Sequence, residues 1–263
     1  MIEGPLPIGI AVSGPSFTDL LRALDVAPNW DIPVGGNLSH VAAPEATTVL
    51  AVRYDGGAVM IGDRQATEGY WVAHRRIQKV FAADGYSAVA ISGTAGLAIE
   101  LVRLFQTELE HYEKLEGVRL SLDGKATYLA RMVRQQLPMA MQGLVVVPVF
   151  CGFDESDGSG KVFTFDAVGG RYEEQDFGAT GSGSREAKSF LRTVFRPSFT
   201  ESEAVDAAFR AIIAAADEDV ATGGPDVRRG IYPNIVTVSA DGVATWEDDA
   251  VVDIARSALR QAT

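Results

Sequence analysis

The chain has 263 residues, 47% of them apolar and 22% charged, the make-up of a soluble globular protein with one large domain or two small ones. Its formal net charge of −12 repels phosphate backbones and excludes nucleic acid as an expected partner. A single cysteine, Cys151, excludes an internal disulfide and a cysteine-rich metal site. His40, His74 and His111 show no metal spacing, so neither a metal nor a cofactor is expected. No apolar stretch reaches the ~20 residues that span a bilayer, and Met1-Ile2-Glu3 lacks the positive start of a secretory signal. The expectation is a cytoplasmic protein without a membrane partner.

Residues 1–46 carry six of the chain's 11 prolines. Only Ser16–Leu24 reads as a helix there, with Ser16 and Asp19 as a capping box. Pro33–Ala46 reads as small, polar and extended. At Thr47 the pattern changes. Thr47–Tyr54 and Ala58–Asp63 read as strands around an Asp55-Gly56-Gly57 turn. After a loop, Ile77–Ala82 and Tyr86–Ser92 form a second hairpin. Leu97, Leu101, Leu104, Phe105, Leu109 and Tyr112 recur at helical spacing. A second helix is expected over Lys125–Met141, with Pro138 as its kink or stop.

Strands are then expected at Leu144–Phe153, Lys161–Ala167, Arg171–Glu174 and Asp176–Gly181, with Cys151 buried and inert in the first of them. Two helices follow, Ser184–Phe195 and Glu201–Val220, the latter with Val205, Ala208, Phe209, Ile212, Ile213 and Ala216 on one stripe. Ile235–Ser239 and Val243–Trp246 form a last hairpin, and a short helix closes the chain. The order lacks βαβ alternation, which disfavours a doubly wound parallel sheet. It fits an α+β fold: a four-layer αββα sandwich of two antiparallel sheets flanked by helix pairs.

A hydroxyl needs a base before it attacks a carbonyl. A threonine at a free N-terminus carries one, because its α-amine has a reference pKa near ~7.7–8.0. Thr47 opens the first strand directly after the proline-rich leader, and cleavage after Ala46 exposes such an amine. Taken alone, Thr-Thr at a strand start is ordinary β propensity. Asp63 alone is a turn residue, Lys79 a solvated strand lysine and Gly93 a turn before a helix. Ser182 alone belongs to a helix N-cap region, and Asp219 is a helix-end acid.

Motifs in register go further. Thr47-Thr48-Val49-Leu50-Ala51-Val52, Gly62-Asp63-Arg64, Lys79-Val80 and Ser92-Gly93-Thr94-Ala95-Gly96 stand in the order and at the separations of proteasome β subunits. Leu109–Gly117, Gly181-Ser182-Gly183-Ser184 and Ala221-Thr222-Gly223-Gly224-Pro225-Asp226 are similar to the actinobacterial branch. So is Ser16-Phe17-Thr18-Asp19 in the leader. The chain resembles a 20S proteasome β subunit from Thr47 to about Trp246.

The resemblance implies the N-terminal-nucleophile hydrolase fold, with residues 1–46 a propeptide and 47–263 the catalytic domain. It implies a threonine endopeptidase with Thr47 as nucleophile and base after autocatalytic removal of the propeptide. Asp63 and Lys79 are the charged pair beside it and Gly93 the oxyanion donor. Ser182, Asp219 and Thr222 form the hydrogen-bonding shell of the amine. Thr67 and Ala95 pair with substrate backbone. Ala66, Ile77, Phe81, Ile91, Ala95 and Ile99 line the first specificity pocket, ordinary core being the other reading of those six. Implied partners are proteasome α subunits, β subunits in rings of seven, an ATPase unfoldase acting through the α ring, and polypeptide substrates.

Two residues depart from the family pattern. Ala46 stands where glycine is usual before the threonine, and its Cβ strains the scissile turn. Gln65 stands where arginine is usual. Losing that charge makes a protonated Lys79 easier to keep and its pKa higher. Both departures favour a competing reading, a catalytically silent β-ring subunit that retains its leader. The complete set of Thr47, Asp63, Lys79 and Gly93 argues against it. The simpler two-ring bacterial threonine protease lacks a long leader, and an N-terminal-nucleophile amidase explains none of the branch motifs.

Overall fold

Alternation along one strand sets the layering. In Thr48–Tyr54 (β2), Val49 and Ala51 point into an apolar layer between two sheets, while Leu50, Val52 and Tyr54 point the other way onto helices. The protein is described here from a computed structural model that covers residues 45–46, 48–68 and 71–261. The expected helix at Ser16–Leu24 and Thr47 itself lie outside the described residues.

The remaining elements follow in chain order. Ahead of β2 stands β1 (Glu45–Ala46). After it come β3 (Gly57–Gly62), β4 (Ala66–Glu68), β5 (Trp71–His74), β6 (Val80–Asp84) and β7 (Ser87–Thr94). Three helices come next: α1 (Ala95–Glu116), α2 (Leu122–Gln135) and α3 (Leu137–Ala140). Then β8 (Val146–Asp154), β9 (Ser159–Phe165), β10 (Arg171–Glu174) and β11 (Phe177–Gly181) precede α4 (Ser184–Val194) and α5 (Glu201–Glu218). The hairpin β12 (Asn234–Ser239) and β13 (Gly242–Thr245) and helix α6 (Asp248–Gln261) end the described chain.

One sheet runs β11-β2-β3-β12-β13 and the other β10-β9-β8-β7-β1-β4-β5, with β6 also paired to β7. Every registered strand pair is antiparallel. Helices α1 and α2 cover the larger sheet through Leu101, Phe105, Leu129 and Phe150. Helices α4, α5 and α6 cover the smaller one through Leu191, Phe209, Ile212 and Ala255. The expected αββα sandwich is therefore the observed one. Cys151 lies in the layer between the sheets, where burial pushes its thiol up to about 12, so it is inert at neutral pH.

Most expected elements stand within a few residues of their expected ends. Helix α5 opens on a capping box from Thr200 and Glu203 and buries most of its expected stripe. Three expectations need correcting. The loop after β3 holds two short strands, β4 and β5, because Ala66–Glu68 pairs with β1, a partner that local propensity does not reveal. The second helix stops at Gln135, earlier than expected. Pro138 cannot donate the backbone bond that continuation requires, and the chain restarts as α3 with the proline in its first turn. On α1, Leu104 and Tyr112 stay exposed and Ala98 and Val102 are buried instead, so the apolar stripe is wider than the covered face.

The β6–β7 turn is pinned to α2 by a buried ion pair, Lys125 Nζ to Asp84 Oδ2 at 2.5 Å. Burial alone pushes the Asp84 carboxyl up, but Lys125, Ser87 and the Tyr86 amide together hold it below the usual range. Removing one partner strands the other. Lys125→Ala is expected to destabilise the fold by about 3 kcal/mol, read as a lower denaturation midpoint in urea. The double change Lys125→Met with Asp84→Asn is expected to lose less than the single one.

Candidate active site

The site forms at the start of β2, where three other segments converge on Thr48 and Asp63. Asp63 follows β3, and its N–H continues the ladder to the Thr48 carbonyl at 3.2 Å. That register places a fully buried carboxylate beside the start of β2. Among the described residues, four donors reach it: the Thr48 amide at 3.1 Å and Lys79 Nζ at 2.5 Å on Oδ1, and the Gln65 and Gly223 amides on Oδ2, each at 2.9 Å. A carboxylate so supplied is held in one orientation.

Lys79 enters β6 with its side chain 1% exposed. Its ammonium also donates to the Gln65 carbonyl at 2.5 Å. Burial outweighs Asp63 and, more weakly, Asp219, and pushes the lysine below its ordinary pKa. The solvated strand lysine suggested by local sequence is thus a buried one. Gln65 also turns its side chain outward, donating Nε2 to the Val220 carbonyl at 3.0 Å.

A second chain of hydrogen bonds approaches from α5. Asp219 caps that helix and accepts Ser182 Oγ and Thr222 Oγ1, each at 2.5 Å. Desolvation raises its pKa, but these bonds, the Ala221 amide and the charge of Lys79 together lower it below the ordinary value. Ionised, it can only accept. Thr222 must therefore spend its proton on Asp219, and the contact between Thr48 Oγ1 and Thr222 Oγ1 at 2.5 Å must be donated by Thr48. The Gly183 amide completes the order by donating to Thr48 Oγ1 at 3.0 Å. All bonds in the chain point toward Asp219, so charge alone fixes its polarity.

Gly93 has φ of +106°, and a Cβ there would stand 2.0 Å from the Val145 carbonyl oxygen, so only glycine fits. Ala46 pairs across to Gly93 on one side and to Ala66 on the other, while Glu45 pairs to Thr94 and Thr67. The last two residues before Thr47 thus fill a strand slot between β4 and β7. Ala95 stands just past this slot as the first residue of α1.

Of the six expected pocket residues, Ala66, Ile91 and Ala95 are buried, and Ile77, Phe81 and Ile99 are partly open. Ile91 and Phe81 belong to the core beneath α1. Ile77 instead lines a surface groove with His74, Arg75, Arg76 and Arg229. Asp63, Lys79, Ser182, Asp219 and Thr222 are brought together around β2, whereas Gly93 and Thr67 define the adjoining slot. Sequence reasoning missed Thr48, Gly183 and Gly223 as working members. Strand alternation was the available signal for Thr48, since it turns that side chain to the helix side with Leu50. The two glycines act through backbone N–H groups, which leave no side-chain signature.

A two-sheet sandwich with a buried lysine–carboxylate pair at the head of a central strand has the architecture of N-terminal-nucleophile hydrolases. Residues 44–227 match the proteasome subunit family. The chain is 51% identical over 243 residues to the proteasome subunit beta of Acidothermus cellulolyticus, covering 90% of this chain and 83% of that one. It is 49% identical over 243 residues to the proteasome subunit beta of Acidimicrobium ferrooxidans, covering 92% and 88%. With that of Streptomyces griseus it shares 46% over 265 residues, covering 98% and 92%. The chain belongs to the proteasome subunit family.

Asp63→Asn tests the pair. It leaves Lys79 buried without its counter-charge, so the lysine pKa falls further below its unfolded value. The unfolded state then binds more protons, and stability rises with pH until the unfolded lysine titrates. The variant is expected to lose about 3 kcal/mol at neutral pH, with the deficit shrinking toward pH 10. Urea midpoints across that range, against the parent chain, measure it.

Proposed function

We propose that this chain is a threonine endopeptidase subunit of a proteasome core, made as a precursor whose residues 1–46 are removed to expose Thr47. The observation that carries the reading is the arrangement on either side of residue 47. Ala46 is held as a strand in a slot between β4 and β7, and the Thr48 amide is bonded to the carboxylate that also binds Lys79. The residues on either side of position 47 are thus both held by the fold, and the Thr48 amide shares its carboxylate with a buried ammonium.

In the precursor, the Thr47 nitrogen is an amide and cannot act as a base. The Thr47 hydroxyl attacks the Ala46 carbonyl, the Ala46–Thr47 C–N bond breaks as its nitrogen takes up the hydroxyl proton, and water hydrolyses the resulting ester to release residues 1–46; Lys79 stabilises the developing charge and assists the proton. Once freed, the Thr47 amine serves as base for later rounds, oriented by Ser182, Asp219 and Thr222. The Gly93 amide stabilises the oxyanion of the substrate carbonyl. Substrates take the vacated slot as an added strand between Thr67 and the start of α1 at Ala95. The particle is cytoplasmic, with β rings of seven, α-subunit rings and an ATPase unfoldase. Among the described residues no helix is long and apolar enough to cross a membrane.

A leader-retaining silent subunit is the competing reading. N-terminal sequencing of assembled particles decides between them: mature chains are expected to begin at Thr47. Thr47→Ala is expected to abolish both processing and peptidase activity while leaving assembly intact. Active particles that keep residues 1–46 would overturn the proposal.

The specificity expected from Ala66, Ile77, Phe81, Ile91, Ala95 and Ile99 is for bulky apolar residues before the cut. Burying a leucine or phenylalanine gains roughly 1.5–3 kcal/mol, whereas an unpaired charge there costs several. Fluorogenic peptides varied at that residue measure it. Preference for aspartate would point instead to the arginines beside Ile77.

A further inference from the structure

Thr48 is fully buried and bonded to both halves of the site. Its amide donates to Asp63 Oδ1 at 3.1 Å, and its carbonyl accepts the Asp63 amide at 3.2 Å. Its hydroxyl accepts the Gly183 amide at 3.0 Å and donates to Thr222 Oγ1 at 2.5 Å. Strand β11 pairs Gly181 with Thr48, so the hydroxyl meets the chain just where it turns through Ser182 and Gly183. Strand formation does not ask for this hydroxyl. Val49, Leu50, Ala51 and Val52 continue β2 with apolar side chains, and valine at position 48 would have the same shape and a similar β propensity. A buried hydroxyl costs free energy unless its bonds offset the lost water, and here both of its bonds go to the segments that carry Ser182 and Asp219.

The consequence falls on Thr222. A hydroxyl offers one donor and two acceptor sites. Thr222 gives its proton to Asp219 Oδ2 at 2.5 Å and takes that of Thr48. One acceptor site is left, and the two bonds already made set its direction. Gly183 packs closely against both hydroxyls: a Cβ there would stand 2.7 Å from Thr222 Oγ1 and 2.8 Å from Thr48 Oγ1. The Thr48–Thr222 contact is therefore confined by its neighbours as well as by its own bond.

We infer that Thr48 is a positioning residue: by filling one acceptor site of Thr222 and holding the Gly183 amide, its hydroxyl aims the remaining acceptor of Thr222 at the N-terminal amine of a chain processed to Thr47. The inference rests on the reading of Thr47 as nucleophile and base. Fully buried, Thr48 touches no substrate and acts only through the amine. An amine held by a fixed acceptor keeps its lone pair turned toward the hydroxyl that it deprotonates. Misorientation there slows the chemistry without weakening substrate binding.

The test uses particles assembled with a proteasome α subunit, with rates counted per chain shown by intact mass to begin at Thr47. Where self-processing is slow, the chain is made from Thr47 behind a separately removed fusion partner. Thr48→Val keeps the side-chain shape and removes the hydroxyl. It is expected to lower kcat for a fluorogenic peptide at least tenfold, with KM within twofold of the parent. Thr48→Ser keeps the hydroxyl and is expected to retain at least half of the parent kcat; Thr48→Ala is the second hydroxyl-free variant, with the same loss expected. Thr222→Val removes the group through which Thr48 acts, so adding Thr48→Val to it is expected to cost less than a further twofold. Parent-like kcat in the hydroxyl-free variants, a loss carried by KM, equal losses in Thr48→Ser and Thr48→Val, or full additivity with Thr222→Val each overturns the inference and leaves the Thr47 reading standing. Active parent particles that retain residues 1–46 defeat that reading, and this inference with it.

Discussion

The Asp63 carboxylate is the constraint on which the site depends. It is buried, and among the described residues donors from four parts of the chain meet on it and offset the cost of its burial. Those donors tie the start of β2, the turn after β3, the entrance to β6 and the loop after α5 into one unit. If any of them moved away, the others would be left holding an under-solvated charge, which costs several kcal/mol. The same bonds that stabilise the carboxylate therefore fix the position of Lys79 and of the Thr48 amide.

A second ionised acid organises the opposite side. Asp219 draws Ser182 and Thr222 to itself, and through Thr222 it orients the Thr48 hydroxyl. Lys79 lowers the Asp219 pKa from a distance, so the two acids share one cation electrostatically without sharing a hydrogen bond to it. Gly223 links the halves: its amide binds Asp63 while its neighbour Thr222 binds Asp219. A Cβ at Gly223 would come within 2.7 Å of the Gln65 Cβ, so a larger residue would wedge the two loops apart. Gln65 itself is part of this network. Its backbone serves Lys79 and Asp63, and its side chain holds the carbonyl of Val220, one residue from Asp219.

The sandwich explains why this unit is rigid. Residues that alternate along β2 bury one face between the sheets and the other under α5, leaving little freedom at its N-terminal end. The slot that receives Glu45 and Ala46 is rigid for a different reason. One wall is β7, whose Gly93 lies against the Val145 carbonyl with no room for a side chain. The other is β4, itself held by β5 across a register shift at Ala66 and Thr67.

Alternation of apolar residues, the turn glycines and the amphipathic stripe of α5 determined the order of elements and hence the two-sheet sandwich, because these signals are local and each element must bury one face. The matched motifs likewise singled out Asp63, Lys79, Ser182, Asp219 and Thr222, which the fold brings together around the start of β2. Tertiary structure alone decided the rest. Strands β4 and β5 exist through pairing across the slot, which no propensity of Ala66-Thr67-Glu68 announces. The burial of Lys79, the direction of its pKa and the outward turn of Gln65 follow from segments far apart in sequence. The polarity of the Thr48–Thr222–Asp219 chain does too, since a hydrogen bond gains its sense only once donor, acceptor and charge have been folded into contact.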